Sequence, residues 1–150
     1  MTSFKITVFH HYKNLLDDKI SALQRVLDDL KESGSNETKS TAGDKHETAL
    51  AMLQIEQANK RAQMKDLLEQ RAVLNKFDPT IQAIQIVPGS LVKAATQYYF
   101  VSVALGKAMI EGRLVIALSP LSPLGKTMLG ARPGEKVGLN QVSFTIDEIL

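Results

Sequence analysis

Asp44 and Glu47 stand three positions apart in "STAGDKHETAL", residues 40–50. On one helical turn, two carboxylates at that spacing point the same way. The pair allows two chemistries. As oxygen ligands they suit Mg²⁺, which is often held by one or two carboxylates while water and phosphate complete its shell. As a capping box, Asp44 accepts from the backbone N–H of Glu47 and Glu47 reaches back. In both readings the carboxylates favour the positive end of a helix. His46 lies between them and is read as facing solvent. His10 and His11 are adjacent, so their side chains diverge, and no acidic residue joins them at ligand spacing; a zinc site is not expected.

A second stretch, "LVIALSPLSPLGKT", imitates a phosphate-binding loop: strand, loop, then Gly-Lys-Thr. Pro120 stands where the first glycine of that motif is required, and Pro123 lies inside the loop. Each proline removes an N–H that would cradle phosphate. Lys126 is therefore read as a surface residue of a short helix.

The elements that must position the acidic pair are helical. Leu16, Ile20, Leu23, Leu27 and Leu30 recur at spacings of three and four, with Leu15 and Val26 widening the stripe. No Pro or Gly interrupts Lys45 to Lys76, where Leu50, Leu53, Met64, Leu67, Leu68 and Leu74 form a thinner stripe. Its middle is polar: Gln57, Asn59, Lys60, Arg61 and Gln63. Two such helices suit an antiparallel coiled coil wetted on its outside. Placing Leu30 opposite Leu53, Ile20 opposite Met64 and Leu16 opposite Leu68 keeps the sum of positions nearly constant. The hairpin then centres near residue 42, with its tip near 40–47. The first helix is expected to begin near residue 8 and to pass Gly34, with a loosened turn across "SGSNET".

Pro79 ends this pattern. Tyr99, Val101, Val103 and Leu105 alternate with Tyr98, Phe100, Ser102 and Ala104. Leu114, Ile116 and Leu118 form a second alternating run, and Val142, Phe144 and Ile146 a third. Period two, with turns at Glu111-Gly112, Pro133-Gly134 and Leu139-Asn140, predicts an antiparallel sheet. One helix interrupts it. Ser122 is placed to cap that helix, Pro123 to open it, Leu124, Met128 and Leu129 to form its apolar face, and Gly130 to end it. The fold class is α+β: residues 1–77 a helical hairpin, residues 78–150 a sheet domain with one short helix.

Composition narrows the functions. The 150 residues contain no Cys, which excludes disulfides, thiolate metal sites and a cysteine nucleophile, and fits a reducing compartment. Before Phe77 there are 12 basic and 11 acidic residues, and from it onward 6 and 5; neither half has the charge excess of a nucleic-acid binder. With no Trp and few aromatics, a base-stacking surface is not expected. No apolar run reaches a membrane span, and the N-terminus lacks the pattern of a signal peptide.

With arm, tip and sheet in place, the chain resembles the bacterial Gre-type (GreA/GreB) transcript cleavage factors. The resemblance runs over nearly the whole length. It is carried by the long hairpin before a small sheet domain, and by "GSLV" followed by "ALSPLSPLGKTMLGARPGEKV", where Ser122-Pro123, Leu129-Gly130 and Gly134-Glu135 match the family's pattern. The tip residues Gly43, Asp44, Glu47 and Ala49 match as well. After Ala49 the family continues with an acidic and an aromatic residue; here Leu50 and Ala51 follow.

The resemblance implies an FKBP-like sheet domain and a cytoplasmic transcription elongation factor. Its partner would be RNA polymerase, with the RNA 3′ end reached only indirectly and no sequence-specific DNA binding. Asp44 and Glu47 would enter the polymerase's secondary channel and complete a transient Mg²⁺ site there. The hydrolytic centre would belong to the polymerase, so the protein would be an accessory factor, not an enzyme, and would hold no cofactor alone. The sheet domain would dock on the channel rim, with Ser122, Pro123 and Lys126 as partner-binding residues. Two further readings are a channel-binding regulator that does not stimulate cleavage and a coiled-coil interaction module unrelated to transcription. An FKBP-like fold also raises prolyl isomerase activity, for which Tyr98, Tyr99, Phe100 and Phe144, without a Trp, make a poor pocket.

Overall fold

The computed structural model describes residues 3–38 and 43–150, with side chains described for 3–34 and 47–150. Residues 39–42 of the expected tip, and the side chains of Asp44 and His46, lie outside the described residues. An N-terminal pair of helices, α1 (Phe4–Thr38) and α2 (Gly43–Leu74), precedes a mostly antiparallel sheet domain with one short helix. The chain divides into two compact units, Leu15–Arg71 and a second made of Met1–Asn14 with Ala72–Leu150.

In the Leu15–Arg71 unit, the less exposed positions of α1 include Leu16, Ile20, Leu23, Leu27, Leu30 and Gly34, with Leu15 beside them as expected. Those of α2 include Leu50, Leu53, Gln57, Lys60, Met64, Leu67 and Arg71. Both series alternate steps of three and four, the seam of a two-helix coil. Gln57 Nε2 donates to the Leu30 carbonyl at 3.1 Å, and Arg71 approaches Asp17 at 3.5 Å. Both contacts join positions about one helical turn away from those of the expected register, which set Leu30 opposite Leu53 and Leu16 opposite Leu68.

Three expectations change. Leu68 is 41% exposed, and Leu67 takes the seam position. Val26 is exposed and does not widen the stripe. The polar middle of α2 also contributes to the seam, through Gln57 and Lys60.

α1 begins at Phe4, four residues before its expected start. The Ser3 hydroxyl accepts from the Ile6 N–H at 3.2 Å and its carbonyl from Thr7 at 3.1 Å, capping the helix. This early turn has a packing role. Phe4 meets Tyr98 edge-on at 4.9 Å, and the Arg113 guanidinium lies 4.3 Å from the Phe4 ring centre. Fully buried Tyr12 packs near Phe100 and donates to the carbonyls of Gly106 at 3.0 Å and Val115 at 3.3 Å.

The sheet comprises β1 (Leu91–Ala94), β2 (Gln97–Val101), β3 (Gly106–Ile110), β4 (Arg113–Leu118) and β7 (Glu148–Ile149) in the order β3-β4-β2-β1-β7. β5 (Lys136–Leu139) and β6 (Val142–Thr145) form a separate hairpin. Every pairing is antiparallel except β2 with β4, which run parallel from Gln97↔Leu114 to Val101↔Leu118. That departs from an all-antiparallel expectation. The cause is the tight turn at Glu111 and Gly112, both at positive φ, which folds β4 back between β3 and β2.

Alternation puts Tyr98, Phe100, Val115 and Ala117 on the face under α1. Val92, Val101 and Leu118 join a core on the other face with Ile86, Met128, Val137 and Ile146. There α3 (Pro123–Met128) packs through Met128 and, in part, Leu124, whereas Leu129 is partly exposed and falls outside the expected face. No helix among the described residues is long and apolar enough to cross a membrane.

Candidate functional site

Glu47 is exposed and lies one turn into α2. Asp44 follows Gly43, the first helical residue, so its backbone is already in the helix. A capping box needs Asp44 just before the helix rather than inside it. With both residues in the first turns, their i, i+3 spacing places them on neighbouring positions of one face. The positive helix end favours carboxylates there. Two carboxylates leave most of a Mg²⁺ shell to be supplied by water and phosphate, which is the usual division for that ion. Among the described residues no group of three or more His, Asp or Glu side chains converges as a metal site.

The second set of expected residues lies around α3, in the sheet unit. The Ser122 hydroxyl donates to the Ser119 carbonyl at 2.6 Å and accepts from the Gly125 N–H at 3.0 Å, capping the helix that Pro123 opens. Its hydrogen-bonding capacity is largely committed inside the chain. Pro123 and Lys126 are exposed, next to Leu121 at 78% exposure. Gly125 permits a close approach: a Cβ there would lie 2.1 Å from the Ser119 carbonyl oxygen. The Gly125 N–H already has its partner and Thr127 Oγ1 donates to Leu124, so this loop does not present a phosphate cradle. Ser122, Pro123 and Lys126 share this corner of the sheet domain; Asp44 and Glu47 lie on the hairpin.

Sequence reasoning missed Lys5. Its side chain is buried, and Nζ donates to the Ile81 carbonyl at 2.5 Å. Burial pushes the ammonium below the ordinary lysine range, and nearby Asp78 partly offsets this. Asp78 is held below the usual carboxylate range by the Thr80 hydroxyl, then by the Thr80 N–H. A cavity of about 210 Å³ opens beside Lys5, Lys76, Asp78 and Ser90. Lys5 was not legible because nothing in "MTSFKITVF" marks one lysine of a helix as inward-facing. The four aromatics named for an isomerase pocket are divided between sheet faces: Tyr98 and Phe100 lie under α1, and Tyr99 stacks on Phe144 at 4.9 Å.

No protein-family profile matches the chain, and no curated protein matches it. Solved structures similar to it include GreA factor homolog 1 (Gfh1) of Thermus thermophilus, at 18% identity over 92% of this chain and 94% of that one, with a TM-score of 0.38. A second structure of the transcription factor Gfh1 has 18% identity, covers 91% and 92%, and has a TM-score of 0.37. Thermus aquaticus Gfh1 has 18% identity, covers 94% and 90%, and has a TM-score of 0.33.

Proposed function

We propose that this chain is a transcription elongation factor of the Gre type. It binds RNA polymerase and presents Asp44 and Glu47 in the secondary channel to assist metal-dependent cleavage of backtracked transcripts. The observation that carries the reading is the acidic pair at the start of a 32-residue helix, which is about 48 Å long at 1.5 Å per residue. A helix of that length suits an arm reaching into a narrow channel. The motif around Ser122-Pro123 and Gly130 supports the same family.

In this mechanism the chain supplies position and charge. Asp44 and Glu47 stand three positions apart on α2, and the paired helices stiffen their support. Ser122, Pro123 and Lys126 form part of the surface that docks on the polymerase. A Mg²⁺ held by Asp44 and Glu47 together with polymerase ligands would polarise the phosphodiester and activate a water. The chain alone catalyses nothing and works in the cytoplasm.

A second reading is favoured by one observation. Leu50, where the resembling family carries an acidic residue, is a half-buried seam position. The tip is therefore less acidic than the family pattern, as would suit a channel-binding regulator that does not stimulate cleavage. Capture of RNA polymerase by the tagged chain tests both readings, and failure to capture it removes both. Asp44→Asn and Glu47→Gln distinguish them. Each should retain polymerase binding while abolishing cleavage stimulation on the first reading, and should change nothing on the second.

A further inference from the structure

We infer that the cavity beside Lys5 is a binding site for a small monocarboxylate with an apolar body. The cavity, about 210 Å³ in volume, lies within the sheet unit. Its walls are built by local sequence. Val87-Pro88-Gly89-Ser90 closes a turn in which the Ser90 N–H donates to the Val87 carbonyl at 3.0 Å. Pro88 and Gly89, the latter at a φ of 98°, are the residue types that such a turn demands. The Gly89 N–H donates to the Val101 carbonyl at 2.6 Å, which ties the turn to β2. Phe77 packs against Gly89, where a Cβ would lie 2.9 Å from its ring. The site is therefore formed before any ligand enters.

Two of the lining side chains are more than nine-tenths buried and have donors to spare. Lys5 is 6% exposed and Ser90 2%. An ammonium has three N–H groups, and among the described residues that of Lys5 has one acceptor, the Ile81 carbonyl. The Ser90 hydroxyl accepts from the Val87 N–H at 3.0 Å, and its own proton has no acceptor among the described residues. Buried donors without acceptors are costly. Burial holds the ammonium below the ordinary lysine range and Asp78 offsets this only in part, so a close counter-charge is lacking. Asp78 does not supply it: its side chain is exposed, and one carboxylate oxygen is taken by the Thr80 N–H and hydroxyl.

The choice of ligand follows. Donors in excess select an acceptor. Lys5 and Lys76 against Asp78 leave one positive charge among the lining residues, which selects a single negative one. Phe77, Ala83, Val87 and Pro88 give the cavity apolar walls, which favour a hydrocarbon body over the wholly polar surface of inorganic phosphate. An apolar cavity of about 150 Å³ admits benzene, so this one has room for benzoate, its carboxylate on Lys5 and Ser90. The inference does not rest on the transcription reading.

Nuclear magnetic resonance of the full, methyl-labelled chain tests this. Titration with benzoate should shift the methyl signals of Ala83 and Val87 saturably and leave that of exposed Met109, outside the cavity, in place. Benzamide, which keeps the ring without the charge, should bind at least about ten-fold more weakly. Lys5→Met, which keeps a long side chain in the same space, should weaken benzoate binding by at least about ten-fold with unchanged far-ultraviolet dichroism. Should that variant fail to fold, the three ligands on the wild type decide the matter alone. Absence of a saturable shift up to about 10 mM benzoate overturns the inference. So does benzamide or inorganic phosphate that matches benzoate, or a folded Lys5→Met chain that binds benzoate as the wild type does.

Discussion

Replacing Tyr12 with Phe tests whether the first turns of α1 are bonded into the sheet unit. Tyr12 is fully buried, and its hydroxyl donates to the Gly106 and Val115 carbonyls. Burial pushes the phenol from its ordinary 10.0 up to about 12. Below pH 10 the phenol is neutral in both the folded and unfolded chain, and its full contribution stands. Between pH 10 and about 12 only the unfolded chain ionises, so stability falls with rising pH. A shift of about two units corresponds to roughly 3 kcal/mol lost across that window. Tyr12→Phe should therefore have two opposite effects. At pH 7 it should cost about 1–2 kcal/mol, because hydrogen bonds to buried carbonyls are lost. Above pH 10 it should lose less stability with rising pH than the wild type. Urea unfolding followed by circular dichroism, repeated from pH 7 to 12, measures both. Lys5, whose pKa shift runs the other way, is present in both proteins and cancels in the comparison. Parallel alkaline slopes for the two proteins would refute the reasoning.

The remaining predictions concern the sheet unit. Gly125→Ala should destabilise by about 3 kcal/mol, because the added Cβ meets the Ser119 carbonyl; thermal unfolding reads the loss. Ser122→Ala should cost about 1 kcal/mol through the lost cap, whether or not a partner binds there. Ser102→Ala should be neutral or stabilise by up to about 1 kcal/mol, since its buried hydroxyl has no partner; a loss above that in chemical denaturation would show a hydrogen bond at this position.

The helix pair was legible because leucines at steps of three and four mark one seam on each helix; the register was not, because a slip of one turn keeps the same spacing, and the Leu30–Gln57 and Asp17–Arg71 contacts lie about one turn from the expected alignment. What pattern could not resolve was which of two adjacent leucines, 67 or 68, faced inward, since a rotation of one position satisfies the same spacing. The early start of α1 was missed because Phe4 and Tyr12 serve the sheet rather than the coil. β2 and β4 were legible as strands. Their parallel pairing was not, because period two reports which residues share a face and says nothing of strand order. β3, "GKAMI", sits at the sheet edge with exposed Lys107 and Met109 and has almost no alternation to read. Of the candidate site, the Asp-x-x-Glu spacing was visible, but the choice between cap and ligand depends on where the helix starts. α2 beginning at Gly43 leaves Asp44 inside it. Ser122 shows the converse: a residue read both as a cap and as a partner contact has its hydroxyl committed to the cap.

The most direct test of the central claim is release of short RNA fragments from a backtracked RNA polymerase complex in Mg²⁺ buffer, with and without the purified chain. On this mechanism the wild type should speed release, and Asp44→Asn or Glu47→Gln should leave it at background. Release at the polymerase's own rate with saturating wild type would contradict it.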